Sequence, residues 1–263
     1  MSILKEIEQK FSNLTLEQKL WISDKPFLIN NFVNIKEFLF YDEILYDAIN
    51  SDFVYWDLYD DKGTKLQIPY KKPYWYGPNK QQHKQFIIEC VNNGHTFVIF
   101  RCAVLNEKLK QLTSIIQKYF YTNADIHVYG TKKQGKSFVP HADLSPVFIL
   151  QLEGETDWIV FDGKISELLH MSDVLQNKLK LQEIRDVESN LEYIKEKKGL
   201  DLIINTTMKS GDLLYIPSRY YHCALPKSPR VSLSIPCVNL EIQNETKRVS
   251  IDGTQIDTNI YKF

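Results

Sequence analysis

The chain has 263 residues, 43% hydrophobic and 25% charged, and its ten glycines and ten prolines exclude collagen-like and low-complexity classes. Its 32 Lys and Arg against 33 Asp and Glu leave a net charge of −1, which argues against a strongly basic nucleic-acid binder, so no nucleic-acid partner is expected. No run of about 18 apolar residues is present, so no membrane-spanning helix is expected, and the opening Met-Ser-Ile-Leu-Lys-Glu-Ile-Glu-Gln-Lys mixes in too much charge for a signal peptide. A chain this long buries a core without disulfide or metal staples. The expectation is one soluble, cytoplasmic domain over 1–263 with an aromatic-rich core or pocket, since 13% of residues are aromatic.

Leu4, Ile7, Phe11 and Leu14 fall at helical spacing. Thr15-Leu-Glu-Gln18 resembles a capping box opening a second short helix. Lys25-Pro-Phe-Leu-Ile-Asn30 reads as a strand begun by a proline, which suits a sheet edge. Asn34 with Glu37 predicts a helix cap and a helix running to about Ile49, with Phe38, Ile44, Leu45 and Ala48 on its buried side. Phe53–Tyr59 and Lys65–Pro69 flank Asp60-Asp-Lys-Gly63, a hairpin signature. Tyr70-Lys-Lys-Pro-Tyr-Trp-Tyr-Gly-Pro-Asn-Lys80 reads as a loop, either a strip for an extended peptide or a plug of rings against the barrel side. Residues 81–93 predict a helix ended by Gly94, His95–Cys102 a strand, and Leu105, Leu109, Leu112, Ile115, Ile116 and Phe120 an amphipathic helix.

From about residue 124 short β-rich runs take over: Ile126–Tyr129, Val147–Leu152, Trp158–Phe161, Leu202–Asn205, Leu213–Ile216 and Val231–Val238. Gly154, Asp162-Gly163 and Ser210-Gly211-Asp212 punctuate them as turns. Many short strands with such punctuation indicate a sandwich or barrel. The predicted class is therefore mainly β with N-terminal helices (α+β), as a single domain. Residues 1–123 form an N-terminal elaboration and 124–240 the core. A charged, helical insertion covers 164–200, read as a solvated face with a lid or a dimer contact as the alternative.

Cys90, Cys102, Cys223 and Cys237 form no CxxC pair, which leaves buried reduced thiols as the main reading and a catalytic Cys223 as the lesser one. The sharpest chemical signal is His141-Ala142-Asp143. Residues i and i+2 of a strand point to one side, so the imidazole and carboxylate can converge. His222 supplies a third ligand, and two histidines with one carboxylate suit non-haem Fe(II) with open positions. A His–Asp pair also forms as a plain structural hydrogen bond, and the tripeptide by itself does not separate the two. Gly211-Asp212 turns the chain into an apolar strand that Pro217 ends, which puts His222 on the emerging turn, at a barrel mouth rather than inside it.

The run His141-Ala-Asp-Leu-Ser-Pro-Val-Phe-Ile-Leu-Gln-Leu-Glu-Gly-Glu-Thr-Asp-Trp158 strongly resembles the first ligand strand of JmjC-type, cupin-like 2-oxoglutarate oxygenases. Gly211-Asp-Leu-Leu-Tyr-Ile-Pro217 followed by His222 is similar to that family's distal-histidine strand. The resemblance covers roughly 124–238, with Lys25–Asn30 similar to the opening strand. It implies a double-stranded β-helix, or jelly roll. It also implies Fe(II) held by His141, Asp143 and His222, and 2-oxoglutarate as co-substrate. The reaction it implies is hydroxylation of a C–H bond in a protein, peptide or small-molecule substrate, with release of succinate and CO2; some relatives demethylate by the same step. Dimers are common among such proteins, which makes a homodimer one expectation.

One position departs from the family. The Lys or Arg that usually grips the far carboxylate of 2-oxoglutarate falls in register on Thr156, which cannot supply a charge-assisted pair. Arg230 with Ser232, two apart on a strand, offers a relocated anchor, beside the plainer reading of Arg230 as a surface salt bridge. Loss of the co-substrate, leaving a non-catalytic metal- or ligand-binding cupin scaffold, is the alternative, and a different oxidation chemistry is a third. Tyr129 is a further candidate contact to a bound carboxylate, beside the plainer reading as a core tyrosine. Trp158 is read as packing and His127 as structural, and His83, His95 and His170 show no partner pattern.

Overall fold

The computed structural model describes residues 3–14, 25–35, 41–60, 64–68, 79–120, 122–133, 141–143, 145–164, 201–218, 220–239, 248–249 and 255–256. The expected capping box at 15–18, the aromatic loop up to Pro78 and the insertion over 165–200 lie outside these residues.

Ile3, Ile7 and Phe11 recur once per helical turn and are all buried, which gives α1 (Ile3–Ser12) one apolar face. Among the described residues three more α-helices follow: α2 (Tyr41–Asn50), α3 (Asn79–Asn92) and α4 (Glu107–Phe120). In α2, Ile44, Leu45 and Ala48 are buried as their spacing predicts. Its expected start near Asn34 lies partly outside the described residues, and Phe38 lies wholly outside them. In α4, Leu109, Leu112, Ile115, Ile116 and Phe120 all face inward.

The strands are β1 (Phe27–Ile29), β2 (Tyr55–Tyr59), β3 (Thr96–Phe100), β4 (Thr122–Ala124), β5 (His127–Thr131), β6 (His141–Ala142), β7 (Val147–Glu153), β8 (Thr156–Lys164), β9 (Leu202–Met208), β10 (Leu213–Ile216), β11 (Tyr220–Pro226), β12 (Arg230–Asn239), and the small pair β13 (Arg248–Val249) and β14 (Gln255–Ile256). They form an eight-stranded sheet in the order β1-β10-β7-β12-β5-β3-β2, with β4 also on β12, and a four-stranded sheet in the order β6-β11-β8-β9. All the pairings are antiparallel. The chain alternates between layers: β5, β7, β10 and β12 in the large sheet face β6, β8, β9 and β11 in the small one. That is the double-stranded β-helix, and β1 sits at the sheet edge as its leading proline predicts.

The period of two along each strand divides the core. On β7, Phe148, Leu150 and Leu152 join the cluster under the helices, while Val147 and Ile149 join the cluster inside the barrel. Both faces are buried, which is why the sequence there is a continuous apolar run. Aromatic edges join helices to sheet: Phe11 meets Phe120 at 5.4 Å and Phe148 at 5.8 Å, and Phe120 meets Phe148 at 4.7 Å.

The Ser210-Gly211-Asp212 turn fastens β10 to its surroundings. Gly211 has φ +93, and a Cβ there would run into the Val33 carbonyl oxygen. The buried Asp212 carboxylate accepts the backbone N–H of Asn31 and of Lys209, each at 2.8 Å. The hairpin at Asp60–Thr64 is borne out at its flanks, where Tyr59 bridges Lys65 and the Leu66 N–H donates to the Leu58 carbonyl at 2.8 Å. All four cysteines are free and buried.

Candidate functional site

The two strands expected to carry metal ligands lie side by side in the small sheet, and His141 and His222 are direct cross-strand partners. The His141 side chain lies outside the described residues. His222 corrects one expectation: it sits on no turn at a mouth but within β11, only 4% exposed. Strand β11 escapes the sequence reading because both its faces are buried. Tyr221 and Cys223 pack outward with Ile159 and Phe161, while Tyr220 and Ala224 pack inward. The register slips between Tyr220 and His222, a bulge beside the ligand, where such irregularities re-aim side chains.

The His222 ring is fixed from behind. Its Nδ1 lies 2.9 Å from the Tyr220 carbonyl oxygen. A carbonyl only accepts, so Nδ1 carries a proton, and in the neutral ring Nε2 presents its lone pair on the other side. That Nε2 faces Asp143 Oδ2 at 3.6 Å, too long for a hydrogen bond. Two acceptor atoms facing each other at this separation suit a cation, and imidazole plus carboxylate suit a divalent first-row metal. The neutral-ligand tautomer and the facing carboxylate therefore fit the metal the sequence implies.

A pocket of about 40 Å³ is lined by Tyr129, Asp143, Val147, Ile149, Trp158, His222, Ala224, Arg230, Ser232 and Ser234. Besides Asp143 and His222, three expected site residues, Tyr129, Arg230 and Ser232, line this pocket, and Thr156 is not among its described lining residues. Thr156 instead opens β8, fully buried, with its Oγ1 lacking a hydrogen-bond partner. His127 is half-buried outside the lining set, edge-on to the Phe100 ring at 4.8 Å.

Arg230 is only 3% exposed, and among the described residues no carboxylate lies within ion-pair distance of it. Burial lowers its pKa to about 10, so it keeps its charge at neutral pH. Its Nη1 donates to Ser232 Oγ at 3.0 Å. Ser232 Oγ donates to Gln151 Oε1 at 2.8 Å, and Gln151 Nε2 donates to the Glu153 carbonyl at 2.7 Å. The relay fixes one edge of the guanidinium, while Nε remains buried without a partner. A buried cation in that state lacks an anion, so the residues present fit an anionic ligand. Tyr129 pairs with Ser232 across β5 and β12. Burial first, then the Asp143 carboxylate, raises its pKa, so the phenol stays protonated.

Gln151 and Trp158 are the contributions sequence reasoning missed. The signal for Gln151 was a lone amide inside the run Val147–Leu152. Trp158 does pack, as expected, but it also walls the pocket, its ring 6.1 Å from that of His222. Cys223 points into the outer cluster, and burial pushes its thiol up to about 12, which removes it as a nucleophile at neutral pH.

The topology and the pocket define a cupin-like, JmjC-type jelly-roll scaffold. The JmjC domain model matches residues 100–245, and the chain belongs to that family. It is 30% identical over 143 residues to the bifunctional lysine-specific demethylase and histidyl-hydroxylase NO66 of Drosophila mojavensis, a match covering 54% of this chain and 14% of that protein. The NO66 protein of Dictyostelium discoideum is 26% identical over 158 residues, covering 60% of this chain and 28% of that one. The matched stretch is therefore a small part of these relatives. The fold is similar to the X-ray structure of Escherichia coli YcfD, at TM-score 0.51 and 14% identity, over 95% of this chain and 64% of that one.

Proposed function

We propose that the chain is an Fe(II)- and 2-oxoglutarate-dependent oxygenase that hydroxylates a C–H bond on a protein or peptide side chain. The observation that carries this reading is Arg230: a buried, charged, half-paired guanidinium in the same pocket as the Asp143 carboxylate and the His222 imidazole. His141, Asp143 and His222 would hold the metal, and Arg230 with Ser232 would take the distal carboxylate that Thr156 cannot. The protein-side-chain substrate is supported by the NO66 relatives, whose names describe lysine demethylation and histidine hydroxylation.

When bound, iron with 2-oxoglutarate supplies oxygen activation and the oxidising equivalent. The chain's own residues do the rest. The Tyr220 carbonyl holds the His222 ring so that Nε2 is unprotonated and directed at the metal position. The Gln151–Ser232 relay orients the Arg230 guanidinium before ligand arrives, so little ordering remains to be done on binding. Tyr129 presents an O–H donor beside it. Val147, Ile149, Trp158 and Ala224 wall the pocket with apolar surface and limit water.

The test is succinate formation from 2-oxoglutarate by the Fe(II)-loaded chain with a panel of histidine- and lysine-containing peptides. Succinate that requires Fe(II) and disappears in His222→Ala and Arg230→Ala supports the reading. Metal-independent turnover, or turnover untouched by Arg230→Ala, overturns it. Tight metal-dependent binding of 2-oxoglutarate with no turnover on any peptide points instead to the ligand-binding scaffold.

A further inference from the structure

Two polar atoms in the lining residues of one small pocket share an unusual state. Arg230 Nε and Trp158 Nε1 are both buried, and among the described residues neither has a hydrogen-bond partner. An orphaned buried N–H is costly and uncommon, and each calls for an explanation. The strands bring these two together by construction. Thr156 and Trp158 are one period apart on β8, so they share its inner face. The start of β8 is tied to the turn that leads into β12: the Lys227 N–H donates to the Glu155 carbonyl at 3.0 Å, and the Glu155 N–H donates to Ser228 Oγ at 2.8 Å. Arg230 follows that turn directly. Gly154 permits the approach, since a Cβ there would meet the Pro229 carbonyl oxygen and its φ is +70. The starts of β8 and β12 therefore occupy one end of the barrel. Thr156 Oγ1, fully buried and also unpaired, marks the same end.

A guanidinium alone would accept any anion. An indole N–H is a single, rigid donor that cannot rotate away from its place, so it adds direction to the charge. One carboxylate has two oxygens and can accept from both groups at once. We propose that the Trp158 indole N–H is the second donor to the distal carboxylate of bound 2-oxoglutarate, and that with Arg230 it selects a 2-oxo diacid over a 2-oxo monoacid. This rests on the co-substrate reading above and deepens it.

The experiment uses the full chain loaded with Zn(II), which is diamagnetic and does not turn over. Affinity is measured by calorimetry for 2-oxoglutarate and for 2-oxobutanoate, which keeps the 2-oxo acid end and lacks the second carboxylate. Wild type, Trp158→Phe and Arg230→Ala are compared. Trp158→Phe is expected to weaken 2-oxoglutarate by roughly tenfold or more, the loss of one hydrogen bond to a charged acceptor, with 2-oxobutanoate unchanged within about twofold. The chain has four tryptophans, so the indole N–H resonance missing from Trp158→Phe is assigned in labelled wild type. It should move downfield with 2-oxoglutarate and stay in place with 2-oxobutanoate. Equal weakening of both ligands, or no weakening, overturns the inference and leaves Trp158 as a wall. Should Trp158→Phe not fold, the indole resonance is assigned through its neighbour Ala224, and its response to the two ligands decides alone. Wild type that binds neither ligand overturns the co-substrate reading itself. Loss of binding in Arg230→Ala with Trp158→Phe unaffected overturns only the inference.

Discussion

The two faces of β12 do different work. Toward the helices it presents Val231, Leu233, Ile235 and Cys237, all buried in the larger apolar cluster. Toward the barrel interior it presents Arg230, Ser232 and Ser234. The same backbone carries both sets, one residue apart. The helix side stabilises the fold by apolar burial, and that stability offsets the cost of keeping a half-paired cation dry on the other side. Site and scaffold are thus separated by face rather than by region of the chain.

Changes to the two faces should separate in the same way. Leu233→Ala, on the helix side and fully buried, is expected to lower unfolding stability by about 2–5 kcal/mol in urea titration. Its folded fraction should bind 2-oxoglutarate as wild type does, and a collapse of affinity there would break the separation. Asp212→Ala removes the acceptor of two backbone N–H groups, and a loss of about 2–3 kcal/mol is expected from the same titration. Arg230→Met, on the interior side, should leave stability unchanged or raise it by about 1 kcal/mol, because an uncompensated buried charge is replaced by apolar volume. The same variant should lose 2-oxoglutarate binding, so a clear destabilisation by Arg230→Met would contradict the division of labour.

The smallest effect concerns pH. Burial lowers the pKa of His83 on α3, which is only 5% exposed. The unfolded chain therefore takes up the proton first as pH falls below about 6.5. The stability contribution is complete above that pH and is lost as pH drops toward the folded-state value. His83→Gln should flatten the fall in urea midpoint between neutral and mildly acidic pH, and an unaltered slope would remove His83 from the account.

Much of this was legible from residues. β7, β10 and β12 are apolar runs with turn signals at their ends, and the helix spacings of α1, α2 and α4 are plain. The metal candidates were legible because two short motifs together are specific. Whether Arg230 takes the place of Thr156 was legible as a question, and Arg230, unlike Thr156, lines the pocket. Strand β11 was not, because Tyr-Tyr-His-Cys-Ala-Leu follows a proline and shows no alternation when both faces are buried. The role of Trp158 was hidden for a different reason. Packing and donor functions use the same residue type, and only an unpaired buried N–H separates them.

β12 is the fastening strand of the large sheet, pairing with β4, β5 and β7. In chain order it is also the last of the described strands in the two main sheets. Until residues 230–239 are available, β5 and β7 each present an open, apolar edge, and such edges invite pairing between molecules. The strand that carries Arg230 is therefore also the one that covers both of these edges. Its partners lie far away in sequence, as in Tyr129 with Ser232, so folding should be slow, on the order of milliseconds to seconds. The pocket comes into being in the same event that closes the sheet.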